Sequence, residues 1–434
     1  MVGASVMHAG VTNRRLAAIA SAALGAAVAQ RALAETTPDF RGVLAPMATG
    51  LQPPASATPA PVVDLAKTAT PIDASKESER PLFTSPDDGQ FDASGFLSKR
   101  TGFLPIAMPI TEPAVGYGLA VGLTFFHSEP TVKEEAGGSR VVMPSTTVVM
   151  GAATENGTWA GAVGHLGVWN EGKTRYVGAV GYASLNLDWF GKGDSLNGKS
   201  ISYTNDVLFV VQNIKFQLEG TDLFIGPTYR FIGSDSTFNP SGLPSGIPGF
   251  ELDSQTSGLG IELTYDSLDH PFAPTRGMRA NLTVSQQAEA FGGDFNYTKI
   301  QSFLIGYIPF NENVVLGLKA NADFTTDGVP FYDLSGVVVR GLDRGRYMDN
   351  SAVYGEAELR IDLSKRWTAL AFTGGGMIGS TISDFSLDNA HFSGGAGFRY
   401  LIAERYGIRL GIDLAYGDGK GTIYVGVGTG WIRP

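Results

Sequence analysis

The chain has 434 residues, no cysteine, and 32 basic against 42 acidic side chains, for a formal net charge of −10. The missing thiols exclude disulfide frameworks, thiolate zinc sites and cysteine nucleophiles, and an acidic balance with no basic cluster excludes nucleic acid as the main partner. Glycine, at 57 residues, runs at roughly twice ordinary usage, and no apolar run reaches the ~18 residues of a spanning helix, which leaves a glycine-rich β protein, soluble or in an outer membrane.

In chain order, Arg14 and Arg15 precede an apolar, uncharged core from Leu16 to Ala29, and Ala32-Leu33-Ala34 supplies the small-x-small pattern of a cleavage site. Residues 1–34 therefore read as a signal peptide, and the mature chain as exported. Residues 35–100 hold nine prolines among Ala, Thr and Ser, too few large apolar groups to offset chain entropy. They are expected to form a mostly disordered periplasmic segment, closed by a short ordered element over 87–100.

From Thr101 the period becomes two. In Val353–Leu363 the odd positions are apolar or glycine, while Tyr354, Glu356, Glu358, Arg360 and Asp362 occupy the other face. The same split recurs in Val314–Thr325, Met278–Ala288 and Gly407–Tyr416. Aromatic residues collect near segment ends (Phe125-Phe126, Trp159, Trp169, Trp189-Phe190, Trp367, Trp431), and charges of both signs share the polar face, as in a wet lumen. These features favour a transmembrane antiparallel β-barrel over a soluble sandwich. The pattern supports fifteen strands, the last over 421–431, whereas a single-chain bacterial barrel takes an even number. Phe103–Thr111, with Pro105 and Pro109, supplies the sixteenth at a seam position where one edge makes few ladder bonds. Residues 101–434 are thus expected to be an all-β, sixteen-stranded barrel in the bacterial outer membrane.

Val339-Arg340-Gly341, in the long connection before the last five strands, is similar to the VRG[FY] motif of the BamA/TamA family of outer-membrane assembly proteins, the bacterial surface-antigen barrels. The run from Tyr265 to Gly277, with Asp266, Asp269, Pro271, Pro274 and Gly277, resembles that family's periplasmic turn between strands eight and nine. The resemblance covers residues 101–434. It implies sixteen strands and a lumen-directed loop whose arginine pairs with Glu358, the family's acidic position on the following strand, beside Glu356 on the same face. Three departures stand out. The 35–100 stretch lacks the βααβ pattern of POTRA domains. Leu342 follows Arg-Gly in place of an aromatic. The strand-thirteen FxDxG reads Phe372-Thr373-Gly374-Gly375-Gly376, so that acidic partner is missing. The expectation is a short family member without POTRA domains.

A buried guanidinium must find carboxylates, and its planar fork suits bidentate contact. Catalytic chemistry finds no support. The histidines after the leader (His127, His165, His270 and His391) occupy no nucleophile elbow, and Asp266, Asp269 and His270 read as turn formers rather than metal ligands. No cofactor and no enzyme activity are expected. The expected function is insertion or translocation of proteins or lipids at a weak seam between the first and last strands, where Gly426, Gly428 and Gly430 line one face of the last strand. Its partners are outer-membrane lipid and unfolded outer-membrane protein clients. The alternative is a passive pore or structural barrel without assembly activity.

Overall fold

Alternation of apolar and polar residues gives many strands one face for lipid and one for the lumen, and pairing successive strands satisfies the backbone. The computed structural model describes residues 82–95, 104–128, 131–135, 138–142, 144–238, 250–270, 273–404, 407–428 and 431, all within one compact unit, Leu65–Pro434. The proposed leader, residues 1–34, and most of the proline-rich segment lie outside the described residues.

Sixteen antiparallel strands form one sheet in unbroken sequence order. They are β1 (Leu104–Ile110), β2 (Gly118–Phe126), β3 (Thr146–Thr154), β4 (Trp159–Trp169), β5 (Thr174–Trp189), β6 (Ile201–Gln217), β7 (Leu223–Phe238), β8 (Phe250–Asp266), β9 (Gly277–Gln287), β10 (Tyr297–Asn311), β11 (Val314–Thr325), β12 (Ser351–Asp362), β13 (Trp367–Gly379), β14 (His391–Ala403), β15 (Ile408–Gly417) and β16 (Lys420–Val427). Phe103–Thr111 does supply the extra strand, as β1. Two small ladders had no counterpart in the sequence reading: Thr131–Glu135 with Gly138–Val142, between β2 and β3, and Ser335–Gly336 with Met348–Asp349, between β11 and β12.

The outward face carries exposed apolar residues such as Leu119, Val121, Leu259, Ile261, Leu359, Leu414 and Tyr416, while Asp266, Lys299, Glu356, Glu358, Arg399 and Asp413 are buried on the inward face. At one end of the barrel most connections are short, as at 312–313 and 363–366, with 127–145 the long exception; at the other most are longer, as at 190–200, 326–350 and 380–390, with 418–419 the short exception. Outer-membrane barrels put short turns in the periplasm, so these are called the turn end and the loop end. Trp159 with Tyr182 at the loop end, and Trp169 with Tyr176 and Trp367 with Tyr400 at the turn end, form outward aromatic pairs. Two expected belt residues turn inward instead. Trp189 packs on Phe238 and on Phe331 of the β11–β12 loop, and Trp431 packs on Tyr307 in the lumen.

The seam joins the two shortest strands, with 7 residues in β1 and 8 in β16. The last strand stops at Val427 rather than 431 because Gly428 takes φ 82, and its N–H donates to the Arg409 carbonyl at 2.6 Å. Gly428 is therefore a left-handed turn and not a flat strand position; Gly430 lies outside the described residues.

The segment before β1 is held at the turn end. Thr84 and Phe91 form an isolated bridge, and the segment wraps the Arg366 guanidinium, which is nearly inaccessible at the β12–β13 turn. Arg366 donates from Nε to Asp88 Oδ2 at 2.6 Å and from Nη1 to Asp92 Oδ2 at 2.9 Å, and its Nη2 reaches Glu404 at 3.2 Å. The Ala93 N–H donates to the Ile402 carbonyl at 2.7 Å. Hydrogen bonds from Arg366 lower the Asp88 carboxyl from 3.8 to about 2. Burial pushes Asp92 up, but hydrogen bonds from Ser94 and Arg366 outweigh it, leaving this carboxyl lowered too.

A depressed carboxylate contributes stability that is present above its unfolded value and lost as pH falls through its folded one. The segment should therefore resist pepsin at pH values above 3.8 and become cleavable near Phe83 and Phe91 as pH approaches 2. Arg366→Gln should be cleaved at both, and equal cleavage of the two proteins at the higher pH would refute the clamp.

Candidate functional site

The β11–β12 connection, residues 326–350, folds into the lumen because its polar and aromatic side chains find partners on the inward face of the wall. Its entry is fixed at Asp333, a buried carboxylate that accepts from Lys299 Nζ of β10 at 2.7 Å, from Arg230 Nη1 of β7 at 2.8 Å, and from the Tyr297 hydroxyl. Lys299 also donates to the Asp333 carbonyl at 2.9 Å. Sequence reading missed this anchor.

Further along, Val337, Val339, Leu342 and Tyr347 make a buried apolar cluster with Tyr354 and Ile378 of the wall. The glycines of β13 explain how the loop sits there. A Cβ on Gly374 would lie 2.6 Å from Val339 Cγ1, and one on Gly376 would lie 2.8 Å from Val337 Cγ1. Gly374 and Gly376, in a run that lacks the family's acid, form instead a smooth seat for Val339 and Val337, while Gly375 faces Phe392 on the other side of the strand. Leu342, standing where an aromatic was expected, is only 2% exposed. Gly341 takes φ +95 between the Ser393 and Ala415 side chains, and its N–H donates to the Tyr424 hydroxyl at 3.0 Å.

Arg340 lies at the centre of the site. Its backbone N–H donates to Glu356 Oε1 at 2.8 Å, and its Nε reaches the same oxygen at 3.4 Å. Nη1 donates to Asp413 Oδ2 at 2.9 Å. Nη2 lies 2.8 Å from Glu358 Oε2 in a buried ion pair. The guanidinium lies over the Phe372 ring at 3.7 Å, and the Arg340 carbonyl accepts from Ser393 Oγ at 2.5 Å. The structure thus brings Arg340 together with both carboxylates named from the sequence. The partner missing from strand thirteen is supplied by Asp413 of β15, itself held by Arg399 Nη2 at 2.8 Å. Trp431 Nε1 donates to Glu356 Oε2, so the chain beyond β16 also closes on this site.

The second motif is distributed differently. Asp269 is a turn former: it accepts from the Thr275 hydroxyl at 2.6 Å and from the Thr275 and Arg276 N–H groups at 3.0 and 3.3 Å. Gly277 has φ +89, and a Cβ there would lie 2.1 Å from the Ser267 carbonyl oxygen. Asp266, read as a turn former, accepts from the Leu268 N–H at 3.5 Å and is also a buried lumen carboxylate facing Arg175 at 2.5 Å and Arg279 at 3.2 Å. The Pro274 carbonyl accepts from Arg360 Nη2 at 2.6 Å, and Arg360 Nε lies 4.0 Å from Glu358 Oε1. Glu358 therefore links the two motifs through Arg360. Pro271 lies outside the described residues.

This arrangement holds structure. Its arginines are matched by carboxylates, and removing one member of a buried pair typically costs about 3–5 kcal/mol because the others lose their compensation. Arg340→Ala should lower barrel stability by about that much, and adding Asp413→Asn or Glu358→Gln should cost far less than the sum of the single changes. A double-mutant cycle on unfolding in vesicles checks this. Additive effects would mean the contacts carry no coupling.

Residues 233–431 match the Omp85 superfamily domain. Among solved structures, the chain is similar to BamA from Haemophilus ducreyi lacking POTRA domains 1–3, with a TM-score of 0.51 at 14% identity, covering 76% of this chain and 69% of that one. It is also similar to CdiB from Acinetobacter baumannii, with a TM-score of 0.50 at 9% identity over 75% of this chain, which spans 59% of the CdiB chain. No curated protein sequence matches it.

Proposed function

With an Omp85 superfamily domain in a bacterial outer-membrane barrel as the premise, we propose that this chain inserts or translocates outer-membrane proteins through the seam between β1 and β16. One observation carries the reading. Among the described residues every neighbouring pair of strands in the ring is joined by a ladder except β1 and β16, which approach one another without one. A spanning strand needs ~9–11 residues, and these two have 7 and 8. Pro105 and Pro109 of β1 have no N–H to give, and Gly428 ends β16 early. The seam is therefore short and poor in backbone bonds.

An unpaired edge is a template for β-augmentation. A client strand arriving unfolded offers the N–H and C=O groups that the β1 and β16 edges lack. The passive-pore reading fits less well, because the loop crosses the lumen and is pinned on two walls, at Asp333 and at Arg340.

The chain lacks cysteine, so a bridge across the seam can be introduced cleanly. Ala107→Cys with Val425→Cys, bridged by a reducible bifunctional thiol reagent, should block insertion of an unfolded barrel client into vesicles. Reduction should restore insertion, and each single variant should match the parent. Undiminished insertion by the bridged barrel would overturn the seam reading in favour of the passive barrel.

A further inference from the structure

The tip of the lumen loop runs Asp343-Arg344, and each residue reaches a different flank of the seam. Asp343 Oδ2 accepts from Nζ of Lys420, the first residue of β16, at 2.7 Å. Arg344 Nε lies 3.1 Å from Oε2 of Glu112, in the turn that carries β1 into β2. Two consecutive side chains of opposite charge thus reach the start of β16 and the turn that leaves β1, on either side of the joint that has no ladder among the described residues. Both ends are fixed. The Glu112 carbonyl accepts from the N–H groups of Val115 and Gly116 at 3.1 and 3.0 Å. The β15–β16 turn is held through Asp418, which accepts from the Tyr347 hydroxyl at 2.7 Å. The base of the tip is fixed as well, since Gly341 bonds Tyr424 of β16 from within the loop.

We propose that Asp343 and Arg344 are positioning residues that clasp β1 to β16 at the loop end, closing with side-chain charge a joint that the backbone leaves open. The inference rests on the seam reading above. Arg344 and Lys420 are 44% and 62% exposed, so each pair is weak on its own and sensitive to salt. A joint that must part is served better by two such contacts than by a ladder. The clasp also gives opening a direction. The loop end is held while the turn end, where Gly428 leads the chain away from the sheet, is not held by this tip; strands separate there first, and a client strand enters from the periplasmic side.

The test places spin labels at Leu119→Cys on β2 and Leu414→Cys on β15, exposed outward positions on either side of the seam, in the full chain in phosphatidylethanolamine and phosphatidylglycerol vesicles. The parent should give a narrow distance distribution. Arg344→Glu should broaden and lengthen it, and adding Glu112→Arg should restore it; Lys420→Glu with Asp343→Lys forms the matching set. Raising salt should broaden the parent's distribution without any substitution, which keeps the test decisive even if a charge reversal blocks folding. A distribution unmoved by every reversal and by salt would overturn the clasp, whatever client insertion does. Widening of the seam with no change in client insertion would leave the clasp standing and remove the seam reading instead.

Discussion

Hydrocarbon supplies no hydrogen-bond partner, so each backbone N–H and C=O of a spanning sheet must be met by another strand. The rest of this molecule follows from that constraint. It accounts for the unbroken order of sixteen strands, for the wall of apolar side chains outside, and for the charges inside. It also singles out the place where the constraint is met least well. Strands β5 to β8 are 16 or 17 residues long and pair over most of their length, whereas the ring closes on its two shortest members. The weakness is local, because the neighbours β2 and β15 are fully laddered on their other sides.

The lumen meets a second demand. Charges of both signs face the lumen, and such groups are tolerable at membrane depth only when paired or wet. The loop contributes Asp333 to a surplus of cations on β7 and β10, and Arg340 to a surplus of carboxylates on β12 and β15. Loop and wall each complete the other's ionic pairing, and the glycines of β13 let them approach closely. Because Glu358 also faces Arg360, and Arg360 holds the Pro274 carbonyl, the β8–β9 turn is joined to the same set.

Strand parity was legible in the sequence because a half-buried strand writes its two faces directly into alternate residues; it put Glu356 and Glu358 on the lumen face, and the family resemblance then named Glu358 as the partner of Arg340. The evenness of strand number likewise picked out β1. Asp413 was assigned to the lumen face by the same parity, but its contact with Arg340 spans 73 residues and depends on the curvature that brings β15 opposite the loop, which no local pattern encodes. Gly374 of β13 looked like a lost acid because a seat for valine, made by Gly374 and Gly376, leaves no chemical signature. Trp189 and Trp431 were misassigned to the belt because aromatics at strand ends can face either way. The clamp on Arg366 joins residues 274 apart in sequence, beyond any spacing argument.

That clamp changes how force would travel. The chain before Leu82 is covalently continuous with β1, so a pull on it would, by connectivity alone, fall on the strand at the seam. Asp88 and Asp92 intercept it. Their bonds to Arg366, together with the Ala93–Ile402 backbone bond, hand the load to the β12–β13 and β14–β15 turns before it reaches Leu104. Under such a load the segment would act as a strain relief on a cable: tension would be carried by well-laddered strands, and the joint between β1 and β16 left to respond to its own contacts.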